Sequence, residues 1–424
     1  MALTQQQIDI VKSTVPILQE HGATITTTFY RNIITEHPQL KNLFSVRNQA
    51  TGAQQSALAR AVLAYATYID DLPKLTGAVE RIAQKHASLF VQPEHYPIVG
   101  QFLVGAFAEV LGDGLTEEVK AAWIAAYGVL ADVFIGREGQ LYKEAGEWSG
   151  WRKFVIKGRE NENSTVVNFD LAPATEGESL QNYRPGQYIS LQVPIPEAGF
   201  VQSRQYSLVE APQKALASGQ YRISVKKEDS TPETVTPEQL AAGSVSGSIS
   251  NLLFKEYKVG DIVELSPPRG EFFIDPSDPA AATKPLVLIS GGIGAAPLHS
   301  ILDAVLDSPS ANRPISWVHG ARGSTTSCYA KHIRQQAASH PNIAASISLE
   351  TVAGSDVKGE AYDAEGQLNL DDLGREGLLH LENPEAEYYI CGPESWMVLV
   401  RSWLEGKGVS LARQHLELFK TGDV

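Results

Sequence analysis

The sequence predicts a multidomain chain: an all-α domain, then an antiparallel β-barrel, then an open parallel α/β sheet. Three observations carry this reading. Helical periodicity runs from residue 4 to about 146 with no strand-like alternation. From Trp151 onward, short alternating apolar segments are separated by turn-rich stretches. Later, the apolar segment Leu286–Ser290 runs into a glycine turn and a helix, and strands then alternate with helices. At 424 residues the chain is too long for one hydrophobic core. The expected domains span 1–148, 149–280 and 281–424.

The elements follow in order. Thr4 and Gln7 form a capping box, after which Ile8, Val11, Val15 and Leu18 recur at helical spacing. Pro38, Pro73, Pro93 and Pro97 fall where helices should begin or end, leaving room for six to eight helices. Phe154–Ile156, Val166–Phe169, Tyr188–Leu191 and Tyr221–Val225 read as barrel strands, punctuated by turns such as Arg184-Pro185-Gly186. Residues 228–247 are rich in Ser, Thr, Pro and Gly and read as an exposed loop, and 275–285 as a Pro/Ala-rich linker. Ile315–His319 and Glu387–Cys391 are further buried strands of the parallel sheet. No internal repeat or low-complexity tract is present.

Composition excludes several classes. A net charge of −14 argues against nucleic acid or an anionic membrane as the main partner. No apolar run approaches the length of a membrane-spanning helix, and the N-terminus has neither a basic flank nor a long apolar core, so a cytoplasmic protein is expected. Cys328 and Cys391 are isolated, which indicates no zinc site or disulfide framework and suits a reducing compartment.

Two motifs carry chemistry in the second half. In Gly291-Gly292-Ile293-Gly294-Ala295-Ala296-Pro297, residues without bulk let the backbone approach a pyrophosphate, whose charge helix N–H groups then hold. Pro297 stands where the commoner fingerprint has a third glycine. In Arg204-Gln205-Tyr206-Ser207, arginine can grip a flavin phosphate, tyrosine can pack on the isoalloxazine, and serine can hydrogen-bond its N5 edge. Tyr183-Arg184-Pro185-Gly186-Gln187-Tyr188 precedes it, and Gly247-Ser248-Ile249-Ser250 offers a small-residue turn before a helix.

These motifs, in this order, resemble the ferredoxin–NADP⁺ reductase superfamily over about 151–419. The resemblance implies FAD held by Tyr188, Arg204, Gln205, Tyr206, Ser207, Gly247, Ile249 and Ser250, with Phe419 covering the flavin. It implies a nicotinamide nucleotide on Gly291, Gly292, Ile293, Gly294, Ala295 and Ala296, with Cys391, Gly392 and Pro393 beside the nicotinamide. Arg322 suits a 2′-phosphate or is a solvated loop residue, so NADH and NADPH both stay open.

The helical half holds His21, His37, His86 and His95. His37 precedes Pro38 in a polar corner and His21 precedes Gly22, so both read as surface residues. His86 follows Val79 and Ile82 on one helical face, where an isolated histidine is more often a satisfied core residue than a ligand. Its company changes that reading. Phe44, after the corner His37–Leu43, can wedge a planar macrocycle, Tyr30 and Gln54 can line the opposite face, and Tyr96 and Glu138 can hydrogen-bond the histidine.

This set resembles a globin domain, and the whole chain is similar to the flavohaemoglobins. Matching stretches include Thr28-Phe29-Tyr30, Asn48-Gln49, Ala83-Gln84-Lys85-His86 and Tyr127-Gly128-Val129-Leu130-Ala131. The resemblance implies haem b with His86 as the proximal iron ligand, packed by Phe44 and backed by a Tyr96–Glu138 relay. It places Tyr30, Gln54 and Leu58 on the distal side and gives Lys85 and Glu417 a part in tuning the redox centres. The implied activity is nitric oxide dioxygenation: electrons pass from NADH or NADPH through FAD to haem, and bound O₂ oxidises NO to nitrate. A hydroperoxide reductase, an O₂ or NO sensor with an attached reductase, and a flavin reductase with a haem-free helical domain are the alternatives. Small-molecule substrates, no nucleic acid, no stable membrane association and a monomer or weak homodimer are expected. Three departures stand out: the long 228–247 loop, Lys420-Thr421 where Gly-Pro is usual, and His319-Gly320-Ala321-Arg322, which has no acid at the strand end.

Overall fold

The computed structural model describes residues 2–45, 48–49, 51–195, 199–227 and 248–419. Packing divides them into two units. One holds the helical half through Trp151 together with 190–204 and 248–249, and the other holds 152–189, 205–227 and 250–419.

In the first unit the capping box forms as expected: Gln7 N donates to Thr4 Oγ1 at 3.2 Å, and Thr4 N to Gln7 Oε1 at 2.9 Å. The apolar stripe that follows is two helices rather than one. Helix α1 (Gln5–Ser13) ends at Thr14, and α2 (Val15–Glu36) restarts with Pro16 in its first turn, where a missing N–H costs nothing. Then come α3 (Ala53–Thr67), α4 (Thr76–Ser88), α5 (His95–Leu111) and α6 (Glu117–Glu144). Short 3₁₀ turns at Pro38–Asn42 and Leu72–Leu75 join them. Pro38 and Pro73 open those turns and Pro97 lies in the first turn of α5, all at positions with no N–H to lose.

The apolar interior of this unit is two clusters. One gathers Ile25, Phe29, Tyr30, Ile33, Phe107 and Trp123; the other gathers Ala83, Ala87, Tyr96, Phe134 and Leu141. Tyr127 and Leu130 pack on both. Gly100 lets α5 and α6 come close, since a side chain there would collide with the Tyr127 ring. Tyr127 accordingly donates its hydroxyl to the Tyr96 carbonyl at 2.7 Å. Helix α6, contrary to expectation, is long and apolar enough to cross a membrane by length and composition. One face of it buries Trp123, Ala126, Phe134 and Leu141 and turns the carboxylate of Glu138 inward. Arg137 grips Glu80 through Nε and Nη2 at 2.7 and 2.8 Å, and Gln84 adds a bond to the same carboxylate at 2.8 Å. That forked pair locks α4 to α6.

Strands β1 (Arg152–Asn161), β2 (Val166–Pro173), β3 (Tyr188–Ile195), β4 (Phe200–Ser207), β5 (Tyr221–Lys226) and β6 (Ile262–Leu265) form one sheet in the order β4-β3-β6-β1-β2-β5. The pairs β1–β2, β1–β6 and β2–β5 are antiparallel. Helix α7 (Pro212–Ser218) precedes β5, and α8 (Ser248–Glu256) precedes β6. The expected linker at 275–285 is partly ordered structure: Asp278 caps a 3₁₀ turn at Pro279–Ala281, and Ala281 is buried.

The second sheet is parallel, in the order β10-β9-β8-β7-β11-β12. Its strands are β7 (Leu286–Gly291), β8 (Ile315–Ala321), β9 (Ile343–Leu349), β10 (Ala364–Glu365), β11 (Glu387–Cys391) and β12 (Gln414–Glu417). Helices α9 (Ala295–Leu306), α10 (Ala330–Ser339), α11 (Leu370–Arg375) and α12 (Glu394–Gly406) connect them. Leu286–Ile289 are fully buried because apolar clusters cover both faces of the strand. The order reverses between β7 and β11. In open α/β sheets the carboxyl ends of strands at such a point form the ligand crevice.

Candidate functional site

Three sites can be built from the residues singled out above. The first surrounds His86, in the last turn of α4. Its Nδ1 lies 2.8 Å from Glu138 Oε1 and 3.2 Å from the Tyr96 hydroxyl, and Tyr96 donates to the same Glu138 oxygen at 2.5 Å. Glu138 is almost fully buried, so its charge depends on these donors. Burial first, and the Glu138 carboxylate second, push the Tyr96 hydroxyl far above its ordinary range, so it stays a donor. With Nδ1 committed, Nε2 receives no hydrogen bond from the described residues, and the His86 side chain is about one-third exposed. An imidazole whose Nδ1–H is held by a carboxylate, with Nε2 unpaired, fits the haem-ligand role.

Tyr30 is buried on α2 with its ring edge-on to Phe44, 5.3 Å between centroids. Gln54, on α3, hydrogen-bonds Tyr30. Its own Oε1 accepts from Gln49 Nε2 at 2.9 Å. Burial pushes the Tyr30 hydroxyl up, against the smaller opposing effect of the Gln54 hydrogen bond, so the phenol keeps its proton. Phe44, Leu58 and Tyr30 all belong to the larger apolar cluster, whereas His86's partner Tyr96 belongs to the other. His21 and His37, both expected at the surface, are half-buried, the His37 ring lying edge-on to Phe102.

The second site follows the barrel strands. Tyr188 exchanges backbone bonds with Arg269 at 2.9 and 2.8 Å, and its ring lies over Gly270, where a β-carbon would press on it. Gln187 Nε2 donates to the Gly270 carbonyl at 3.0 Å, and Arg184 stacks on Phe273 at 4.3 Å. Tyr206 and Ser250 share a hydrogen bond of 2.9 Å between hydroxyls. Ser207 is buried with no partner for its Oγ among the described residues. A buried orphan hydroxyl is costly unless something bonds it, and a flavin ring edge would. Arg204 lies on β4, three residues before Ser207, with Nη1 donating to the Ser203 carbonyl at 2.9 Å; Gln205 and Tyr206 lie between them, and Ile249 is buried on α8. Gly247 lies outside the described residues. Ser207→Ala is expected to leave the fold intact and weaken FAD retention by up to about tenfold, the worth of one hydrogen bond. Flavin content after gel filtration measures this.

The third site is the crevice between β7 and β11. Ile289 pairs with Ile390, and Ser290 with Cys391, so the glycine turn and Cys391-Gly392-Pro393 lie side by side. Gly292 takes a positive φ of 54°, and a β-carbon on Gly294 would collide with the Cys391 carbonyl and Gly392 N. The turn leads directly into α9, whose first residues are Ala295 and Ala296. Pro297 occupies the first turn of α9, which explains how this departure is tolerated. Burial, and next the Glu417 carboxylate, raise the Cys391 thiol well above its usual range, so it stays protonated. Glu417 is the β12 partner of Cys391 and is itself buried; Phe419 is exposed. Arg322 is exposed at the end of β8, its carbonyl accepting from Thr351 N at 2.9 Å.

The sequence reading missed several polar groups. His319 Nδ1 bonds Ser290 Oγ at 2.8 Å under the glycine turn, and burial lowers this imidazole to about 4, so it is neutral. His299, Asp303 and His332 cluster between α9 and α10. There His332 Nε2 bonds Asp303 at 2.7 Å, and the His299 Nδ1 that faces Asp303 already meets the Val209 carbonyl at 3.0 Å. Burial lowers His299 to about 4. His299 thus ties α9 to the barrel, and the Asp303–His332 bond ties α9 to α10. No local pattern marks any of these residues, because their partners are distant in sequence.

Comparison with known proteins agrees with this division. Residues 27–134 match the globin family, 153–274 the oxidoreductase FAD-binding domain, and 288–402 the oxidoreductase NAD-binding domain. The fold and sites thus define an oxidoreductase that joins a globin to a flavin- and nicotinamide-binding reductase, with haem, FAD and a nicotinamide nucleotide as cofactors. The chain is 42% identical over 419 residues to a flavohemoprotein of Bordetella pertussis, covering 98% of both chains. A flavohemoprotein of Rhizobium meliloti is 40% identical over 421 residues, again covering 98% of both. A flavohemoglobin crystal structure from Malassezia yamatoensis, with bound FAD and heme, superposes with a TM-score of 0.81 at 25% identity, covering 99% of this chain and 100% of that one. The FAD/NAD-binding domain of a Vibrio cholerae nitric oxide dioxygenase gives 0.51 at 29% identity, covering 63% of this chain and 97% of its own. The chain belongs to the flavohaemoprotein family.

Proposed function

We propose that this protein is a cytoplasmic nitric oxide dioxygenase in which NADH or NADPH supplies the electrons, with domains at 1–148, 149–280 and 281–424. Two NO and two O₂ are consumed and two nitrates formed for each nicotinamide oxidised, because one hydride carries two electrons. The observation that carries this reading is the His86–Glu138–Tyr96 cluster. A carboxylate accepting from Nδ1 makes the imidazole a stronger electron donor, which favours O₂ activation over storage. The Vibrio cholerae relative, whose name states this activity, supports it.

When bound, FAD takes hydride and passes on single electrons, and haem accepts them one at a time and binds O₂. The chain's own residues do the rest. The Gly291–Gly294 turn and the start of α9 receive the pyrophosphate, and protonated Cys391 borders the nicotinamide without competing as a nucleophile. Tyr188 and Tyr206 would pack on the flavin, Arg204 would hold its phosphate, and Ser207, whose hydroxyl has no partner among the described residues, would bond the ring edge. His86 Nε2 would be the atom that binds the haem iron, while Glu138 and Tyr96 hold Nδ1. Tyr30, kept protonated by burial and hydrogen-bonded to Gln54, would offer an O–H donor to a ligand on the distal side of the haem.

Tyr30→Phe is therefore expected to speed O₂ release from the reduced protein by about 10- to 100-fold, as for the loss of one charge-assisted hydrogen bond. Flash-photolysis or stopped-flow ligand exchange measures it. The activity itself is tested with an NO electrode in aerated buffer, started with NADH and repeated with NADPH. Rapid NO loss supports the reading. Nicotinamide oxidation with NO persisting overturns it.

A further inference from the structure

The segments around His86 and Phe44 are hydrogen-bonded to the two strands that carry the flavin motifs. Ser88 lies two residues after His86, and Ser190 two residues after Tyr188; both side chains are fully buried. Ser190 Oγ donates to Ser88 Oγ at 2.9 Å, and Ser88 Oγ donates in turn to the Lys85 carbonyl at 2.8 Å. The chain of bonds thus ends on the peptide unit directly before His86. At the other segment, Gln202, two residues before Arg204, donates its amide to the carbonyls of Lys41 at 2.7 Å and Phe44 at 3.3 Å. Val201 N donates to Asn42 Oδ1 at 3.0 Å beside it.

These bonds are not explained by capping or by the barrel ladder. A buried Ser–Ser pair contributes little apolar packing, and each hydroxyl costs free energy if its partner is removed. Valine or alanine would fill both positions more simply. What the pair does contribute is register: it fixes the end of α4 on β3, and Gln202 fixes the Phe44 corner on β4.

We infer that Ser88, Ser190 and Gln202 are positioning residues that set the haem-side segments against the flavin-binding strands for electron transfer. This rests on the reading in which electrons pass from FAD to haem. Transfer between two centres falls steeply with their separation, so a small slip at either contact slows that step alone. The residues touch neither cofactor's reacting atoms in this account.

The test is anaerobic stopped-flow reduction of the holoenzyme by NADH, following flavin bleaching and ferric-to-ferrous haem conversion separately. In Ser88→Ala and in Ser190→Ala, haem reduction is expected to slow about tenfold while flavin reduction keeps its wild-type rate, the size of effect a small misplacement can have. The double variant should slow haem reduction by less than the product of the two single effects, because the Ser88–Ser190 bond is common to both. Hydrogen exchange of the holoenzyme reads the bond directly: amides at 85–89 and 190–192 should exchange faster in each variant. Gln202→Leu should give the same kinetic split with faster exchange at 41–45. Unchanged haem reduction in folded variants, or equal slowing of both steps, overturns the inference. Failure of the wild-type haem to be reduced by NADH would instead overturn the functional reading beneath it.

Discussion

Replacing His86 with alanine is expected to yield a protein that keeps its FAD and loses its haem. Among the described residues, His86 has its Nδ1 held by a buried carboxylate and a tyrosine hydroxyl and no hydrogen bond on Nε2. Removal would take away the proposed iron ligand and leave the buried Glu138 with Tyr96 as its one remaining partner among the described residues. A buried carboxylate that loses one of two donors is costly, so the helical unit should also melt earlier. The flavin motifs lie on the barrel strands and α8, so the flavin spectrum should be unchanged. Absorbance spectra of the purified variant, with and without added hemin, measure both. Normal haem retention would remove His86 from the ligand role.

The second large effect is expected at Gly294. A methyl group there would overlap the Cys391 carbonyl and the Gly392 nitrogen, so the turn must move away from β11. That movement displaces the backbone N–H groups that would receive a pyrophosphate. Gly294→Ala should therefore lose flavin reduction by NADH and NADPH by at least about 100-fold, the scale of a small misplacement of bound groups. Photoreduction of the flavin, and electron flow onward to haem, should persist because neither uses the turn. Normal nucleotide-driven reduction would show that the nucleotide does not use this crevice.

The contrast between these residues shows which features local sequence carries. Gly291–Gly294 was legible because strand, turn and helix are contiguous, and their order states where a phosphate would lie. The helices were legible from their periodicity, although the stripe from Ile8 to Leu18 hid a break that Thr14 and Pro16 impose. Strand β6 is only four residues long and starts with exposed Ile262, too short for alternation to show. Glu138 and Tyr96 lie 52 and 10 residues from His86, and nothing local joins them; family resemblance pointed to the set, and the fold brings it together. The Glu80–Arg137 clamp and the Ser88–Ser190 pair, 57 and 102 residues apart, had neither kind of signal. Polar pairs between distant elements depend on tertiary register, and no periodicity encodes a partner.

The central claim is that this globin-reductase uses O₂ to oxidise NO. The most direct measurement is mass spectrometry of the nitrate formed from NO under ¹⁸O₂, with NADH and cofactor-replete protein. Dioxygenation predicts nitrate carrying two labelled oxygens and one from NO, in a yield of about two per nicotinamide oxidised. Nitrate with one labelled oxygen or none, or nicotinamide oxidation without nitrate, would contradict the account.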